Sequence, residues 1–177
     1  MAGVTRIALV GLRGTGKTTV GKRLAMRWGW SFVDTDDVVE SQAGKTISRI
    51  FAEDGESRFR ELEAKGVSDS FALDRVVLAT GGGAILRPET CATLKSNGFV
   101  IWLTGSATIL AERVSHDKTT SDRRPALTAF TGAEELDTLL RAREPFYREV
   151  AHLSVDTTNR TPDEIAELIE RSLPAKG

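Results

Sequence analysis

The residues best placed to do chemistry begin at Gly11. The stretch Gly11-Leu-Arg-Gly14-Thr15-Gly16-Lys17-Thr18, with Thr19 behind it, fits G-x-x-x-x-G-K-[ST], the phosphate-cradling loop. Its glycines let backbone N–H groups converge on an anion, and a helix opening directly after it adds the positive end of its dipole. In such a loop Lys17 reaches the β- and γ-phosphates and the Thr18 hydroxyl sits on Mg²⁺. The alternative is a glycine-rich strand-to-helix turn that binds nothing. The flanks favour the phosphate loop, since Ile7 to Val10 is an apolar run and Val20, Leu24 and Trp28 recur at helical spacing.

Further candidates lie outside that loop. Asp34-Thr-Asp36 closes a second apolar run, Trp30 to Val33. If the backbone stays extended there, spacing of two puts both carboxylates on one side. One could then stand near Mg²⁺ while the other receives the proton of an attacking hydroxyl. The competing reading is a helix cap, with Asp36 opening the segment from Val38. Arg60 and Arg143 each fall on the apolar stripe of a helix, where a guanidinium needs an anion or carbonyl to satisfy its fork. A substrate carboxylate would fit through paired hydrogen bonds. An internal ion pair with a neighbour such as Glu61 would fit as well. Gly81-Gly82-Gly83 follows a buried run and could bring backbone amides close to a ligand. Arg123-Arg124-Pro125 ends a polar stretch, and an arginine there could fold over a nucleotide and neutralise the transferring phosphoryl group. Arg113 and Arg160 read by themselves as surface residues.

The elements that must position these residues alternate. Strands are expected at Ile7–Val10, Trp30–Val33, Val76–Ala79, Phe99–Leu103 and Leu153–Val155. Between them fall the loop helix, short helical pieces over Val38–Ala43 and Ile47–Ala52, and a longer helix over Glu56–Phe71. A helix from Pro88, one capped by Ser106, and one from Leu136 to about Pro145 follow. Thr161-Pro162-Asp163-Glu164 is a capping box with proline at N1, opening a last helix. Alternation of this kind implies right-handed crossovers and a parallel sheet covered on both faces. Ser115 to Pro125 is nearly devoid of apolar residues and reads as a surface segment.

The whole chain bounds the partners. At 177 residues and 40% hydrophobic it suits one domain, and its net charge of −1 supplies no global field toward nucleic acid or membrane. A single cysteine, Cys91, excludes an internal disulfide, and His116 and His152 make no familiar metal pair. With no membrane-spanning stretch and no leader segment, a cytoplasmic protein is expected.

Taken together, these residues resemble the shikimate kinase family. The resemblance rests on the phosphate loop, Asp34-Thr-Asp36, Gly55-Glu56-x-x-Phe59-Arg60-x-x-Glu63, Gly81 to Gly83, Arg124-Pro125 and Arg143-x-Pro145-x-Tyr147. It implies a nucleoside-monophosphate-kinase-like P-loop fold with a five-stranded parallel sheet and a lid near 114–128. The acid-binding region would lie near 34–63. The implied reaction moves the ATP γ-phosphate to the 3-hydroxyl of shikimate, with Mg²⁺, in a monomer. By the same resemblance Lys17 serves the phosphates, Thr18 the metal, and Asp34 the metal's water shell. Asp36 holds the acid's hydroxyls and acts as base. Arg60 and Arg143 bind its carboxylate, and Gly81, Gly82 and Gly83 meet it through backbone amides. Arg124 is the lid arginine, while Arg113 and Arg160 flank the adenine beside Pro162. A gluconate kinase on the same scaffold is one rival. A nucleotide switch is another, though no N-K-x-D signature occurs.

Overall fold

The computed structural model describes residues 3–117 and 132–174. Five strands form one sheet: β1 (Arg6–Val10), β2 (Ser31–Asp34), β3 (Val76–Ala79), β4 (Phe99–Thr104) and β5 (Leu153–Asp156). They are parallel throughout, in the order β2-β3-β1-β4-β5. The helices are α1 (Lys17–Trp28), α2 (Thr35–Ala43), α3 (Ile47–Glu53), α4 (Gly55–Ser70), α5 (Pro88–Asn97), α6 (Ala107–His116), α7 (Ala133–Val150) and α8 (Pro162–Ser172).

The continuous apolar strands are explained by cover on both faces. Ala8, Val10, Val76, Leu78, Val100 and Trp102 point to one side, where they pack with Val67 of α4, Leu94 of α5 and Leu136 and Tyr147 of α7. The alternate residues Ile7, Leu9, Val77, Ile101 and Leu103 point to the other, against Val20 and Leu24 of α1 and Ile165 and Ile169 of α8. A smaller cluster of Val39, Ile47, Ile50, Phe59 and Leu62 holds α2, α3 and α4 together.

The chain turns from one side of the sheet to the other at β1, which lies between β3 and β4. A crevice opens at the carboxyl ends of strands at such a point. The register brings the ends of three strands to that edge, pairing Leu9 with Ala79 and Asp34 with Ala79. No described helix is long and apolar enough to cross a membrane.

Three local expectations change. Helix α2 starts at Thr35 rather than Val38, because Asp34 itself caps it by accepting the Asp36 N–H at 3.1 Å. Helix α7 continues through Pro145 to Val150 instead of stopping. Its ring forfeits one helical hydrogen bond, but buried Tyr147 and Val150 beyond it anchor the last turn in the core. In α4 the core-facing residues are Phe59, Leu62, Gly66 and Val67, so Arg60 stands at the edge of the stripe rather than within it.

Candidate active site

The phosphate loop is held in shape by contacts that only glycine allows. At Gly11, φ is +144°, and a Cβ there would stand 2.2 Å from the Leu103 carbonyl oxygen of β4. Gly16, at φ +86°, leads into α1 without any side chain capping the helix. The first-turn N–H groups therefore face the cleft as a site for an anion, at the positive end of the dipole. Lys17 Nζ donates to the Gly11 and Leu12 carbonyls at 2.9 and 2.8 Å, lying back over its own loop. Thr15 is buried, and its hydroxyl donates to Leu12 O at 2.8 Å.

Beside this loop lies a cleft of about 370 Å³, lined by residues 14–20 together with Arg113, Arg160 and Pro162. All three residues expected near the adenine thus border the same space as Gly14, Thr15, Gly16, Lys17, Thr18 and Thr19. Arg113 is oriented by carbonyl oxygens. It donates to Thr157 O at 2.6 Å, Thr158 O at 3.3 Å and Gly14 O at 3.4 Å, which joins α6 to the exit of β5 and to the phosphate loop. Arg124 lies outside the described residues.

At the loop's other flank, the Thr18 hydroxyl donates to Asp34 Oδ2 at 2.8 Å. Burial, and next the negative charge of Asp36, raises the Asp34 carboxyl above the ordinary range, opposed by the Thr18 hydrogen bond. Because α2 begins at Thr35, the two aspartates do not alternate along a strand. Asp34 ends β2 while Asp36 sits in the first helical turn. Among the described residues no group of three His, Cys, Asp or Glu side chains could form a protein cage for a metal.

The glycine turn is bound to both sides of the crevice. Gly81 N–H donates to the buried Thr35 hydroxyl at 3.1 Å, which joins the turn to the start of α2, one residue before Asp36. Gly82 O accepts from Arg143 Nη1 at 3.1 Å and from the Tyr147 hydroxyl at 2.6 Å. None of Gly81, Gly82 or Gly83 has positive φ. Room is what Gly82 and Gly83 offer. A Cβ at Gly82 would meet the Gly11 carbonyl oxygen at 3.3 Å, and one at Gly83 would fall 2.5 Å from Arg60 Nη2.

Arg60 is therefore packed against the glycine turn and also paired with carboxylates of its own helix, Glu63 at 2.7 Å and Glu56 at 3.1 Å. Glu61, the partner weighed from sequence, instead meets Arg58 on the surface. Arg143 is buried and aimed at Gly82. Two contributors were given no role in the sequence reading. Tyr147, named there only within the Arg143 motif, follows Arg143 by one helical turn, a same-face spacing that could have marked its role. Thr35 carried no signal beyond its place between two aspartates.

A phosphate loop at the switch point of a doubly wound parallel sheet, with a carboxylate against the loop's hydroxyl, defines a P-loop kinase. The family profile described as shikimate kinase matches residues 13–174. The shikimate kinase of Thermobifida fusca is 46% identical over 169 residues, covering 96% of this chain and 95% of that protein. The chain belongs to the shikimate kinase family, a family of ATP-dependent phosphotransferases. A solved structure of shikimate kinase from Acinetobacter baumannii in complex with shikimate superposes with TM-score 0.87 at 36% identity, over 95% of this chain and 92% of that one. A gluconokinase from Sinorhizobium meliloti 1021 superposes with TM-score 0.60 at 20% identity, over 94% and 90%, a likeness of fold alone.

Proposed function

We propose that the enzyme transfers the γ-phosphoryl group of ATP to the 3-hydroxyl of shikimate, giving shikimate 3-phosphate and ADP. The observation that carries this is the pair of guanidiniums, Arg143 buried and Arg60 at the edge of its helix's core face, both set against the glycine turn at Gly82 and Gly83. Thr35 fastens the same turn to the helix that bears Asp36. A small carboxylated polyol needs such a clamp for its carboxylate and an acceptor for its hydroxyls.

In this reading the loop N–H groups and Lys17 receive the phosphates, with Lys17 exchanging its two carbonyl partners for phosphate oxygens. Arg113 and Arg160 border the base. Asp36 accepts the proton of the attacking hydroxyl as the new O–P bond forms and the bond to the ADP oxygen breaks. With the Gly81 N–H engaged by Thr35, the amides of Gly82 and Gly83 and the two guanidiniums hold the acid in line with the phosphoryl group.

The Thr18–Asp34 pair fits Mg²⁺. A buried carboxylate whose charge is disfavoured by burial and by a neighbouring aspartate gains from a cation nearby, and the hydroxyl it now accepts from is a suitable ligand. Thr18 would hold the ion directly and Asp34 through water, the phosphates supplying further oxygens. When bound, the ion neutralises charge on the transferring group.

Steady-state ADP release with shikimate and with gluconate as acceptors tests the assignment. Shikimate should stimulate release strongly and gluconate leave it at background; the reverse preference would overturn the reading. Stimulation by neither acid would favour a nucleotide switch. Chelation by EDTA should abolish turnover, and added Mg²⁺ restore it.

A further inference from the structure

Arg13 and Glu135 take no part in the reading above, yet they form a largely buried ion pair. Arg13 Nη2 lies 2.5 Å from Glu135 Oε2, with side-chain exposures of 17% and 5%. One partner belongs to the phosphate loop. The other stands in the first turn of α7, at the opposite end of that helix's inner face from Arg143 and Tyr147. Those two hold the Gly82 carbonyl, and a Cβ on Gly82 would stand 3.3 Å from the Gly11 carbonyl oxygen and 3.6 Å from Leu12 Cα, so the turn faces the phosphate loop with little space between. The contacts close a ring: residues 11–13, Glu135, the length of α7, Arg143 with Tyr147, Gly82, and back to Gly11 and Leu12.

Lys17 is tethered to this ring, since its ammonium rests on the Gly11 and Leu12 carbonyls. Transfer of that ammonium to a nucleotide's phosphates would change the field on both carbonyls, and the Gly11 carbonyl is the one that faces Gly82. A ring of buried, directional contacts passes such a change on better than apolar packing does, because ion pairs and carbonyl bonds tolerate little displacement.

We infer that Arg13 and Glu135 are positioning residues. By fixing the root of α7 to the phosphate loop, they make the seating of Arg143 and the glycine turn depend on nucleotide occupancy. Arg13 Nε is buried with no hydrogen-bond partner among the described residues, and it is through Nη2 that the guanidinium meets Glu135. The assignment of the acid site rests on the function proposed above; the physical link from phosphate loop to glycine turn does not.

Two measurements separate these. Amide hydrogen exchange in a peptide spanning residues 80–86 is followed with Mg·ADP alone, in wild type and in the double variant Arg13→Met/Glu135→Leu, which replaces the pair by apolar volume. ADP should slow exchange in wild type by about fivefold or more, a factor typical of linked sites. It should do so by less than twofold in the variant, whose ADP affinity stays within about threefold of wild type. Reversing the pair, Arg13→Glu/Glu135→Arg, should restore most of the effect, which a merely structural loss would not allow. An ADP effect of equal size in the apolar double variant, or none in wild type, overturns the inference. Calorimetric titration of shikimate with and without Mg·ADP then reads the same link as a Kd ratio, again about fivefold in wild type and below twofold in the variant. If shikimate fails to bind wild type while the exchange effect stands, the substrate assignment falls and the positioning role survives.

Discussion

The phosphate-loop side and the glycine-turn side of the crevice, the proposed nucleotide and acid sides, are built from different materials. Backbone makes the first: helix-start N–H groups, glycines without room for a Cβ, and a lysine resting on loop carbonyls, nearly all within residues 11–19. Side chains make the second, drawn from α2, α4 and α7 and gathered on a three-residue turn. A phosphate tail is the same in every nucleotide, so one contiguous loop can serve it. A particular acid needs several side chains at fixed separations, and only distant parts of the chain can be brought together so.

Substitutions should therefore split by side. Lys17→Met removes the ammonium of the phosphate loop, and kcat should fall about 10²- to 10³-fold with the fold intact by circular dichroism. Asp36→Asn should reduce kcat by a similar factor, about 10²-fold or more, while both KM values change little. Unchanged turnover would remove Asp36 as the base. Arg143→Ala should raise the shikimate KM about 10- to 100-fold, the range for hydrogen bonds to a charged group, and leave the ATP KM within about threefold. Equal losses on both sides would mean that α7 serves architecture first and the acid second.

The smallest effect concerns the boundary between the two sides. Burial favours the neutral form of Asp34, so the folded protein keeps this proton to higher pH than the unfolded chain does. The group's contribution to stability therefore falls as pH rises from the ordinary carboxylate range through the raised folded value, and stays low at neutral pH. Asp34→Asn keeps a competent helix cap and removes that charge. The ligand-free protein should then melt about 2–4 °C higher at pH 7, and the gain should vanish in acid. Mg²⁺-dependent turnover should fall in the same variant. Thermal melts across pH, paired with Mg²⁺ titrations of activity, would expose a failure of either half.

Legibility in the sequence follows the same division. Strand β3 is found where Val76 to Ala79 predicts it, and the Ser106 cap and the Thr161 capping box form as written. Each depends on neighbours a few residues apart. The geometry of Asp34-Thr-Asp36 was not legible, because whether Asp34 ends a strand or caps a helix depends on where α2 packs. Nor was the continuation of α7 past Pro145, since burial of Tyr147 and Val150 outweighs the lost helical bond. The partners of Arg60 illustrate the limit well. Sequence marks an inward arginine, but Glu61 and Glu63 differ only in which face of α4 they occupy, and the core decides that.

By itself the sequence determined the phosphate loop, the alternating elements and the family, because each is encoded in short-range spacing of glycine, apolar and capping residues. Tertiary structure alone decided that Gly82 would be gripped by Arg143 and Tyr147, that Thr35 would hold Gly81, and that Arg13 would meet Glu135 across 122 positions of chain. Those contacts form only after the sheet has closed, when burial leaves each polar group to find whatever partner the packing has put within reach.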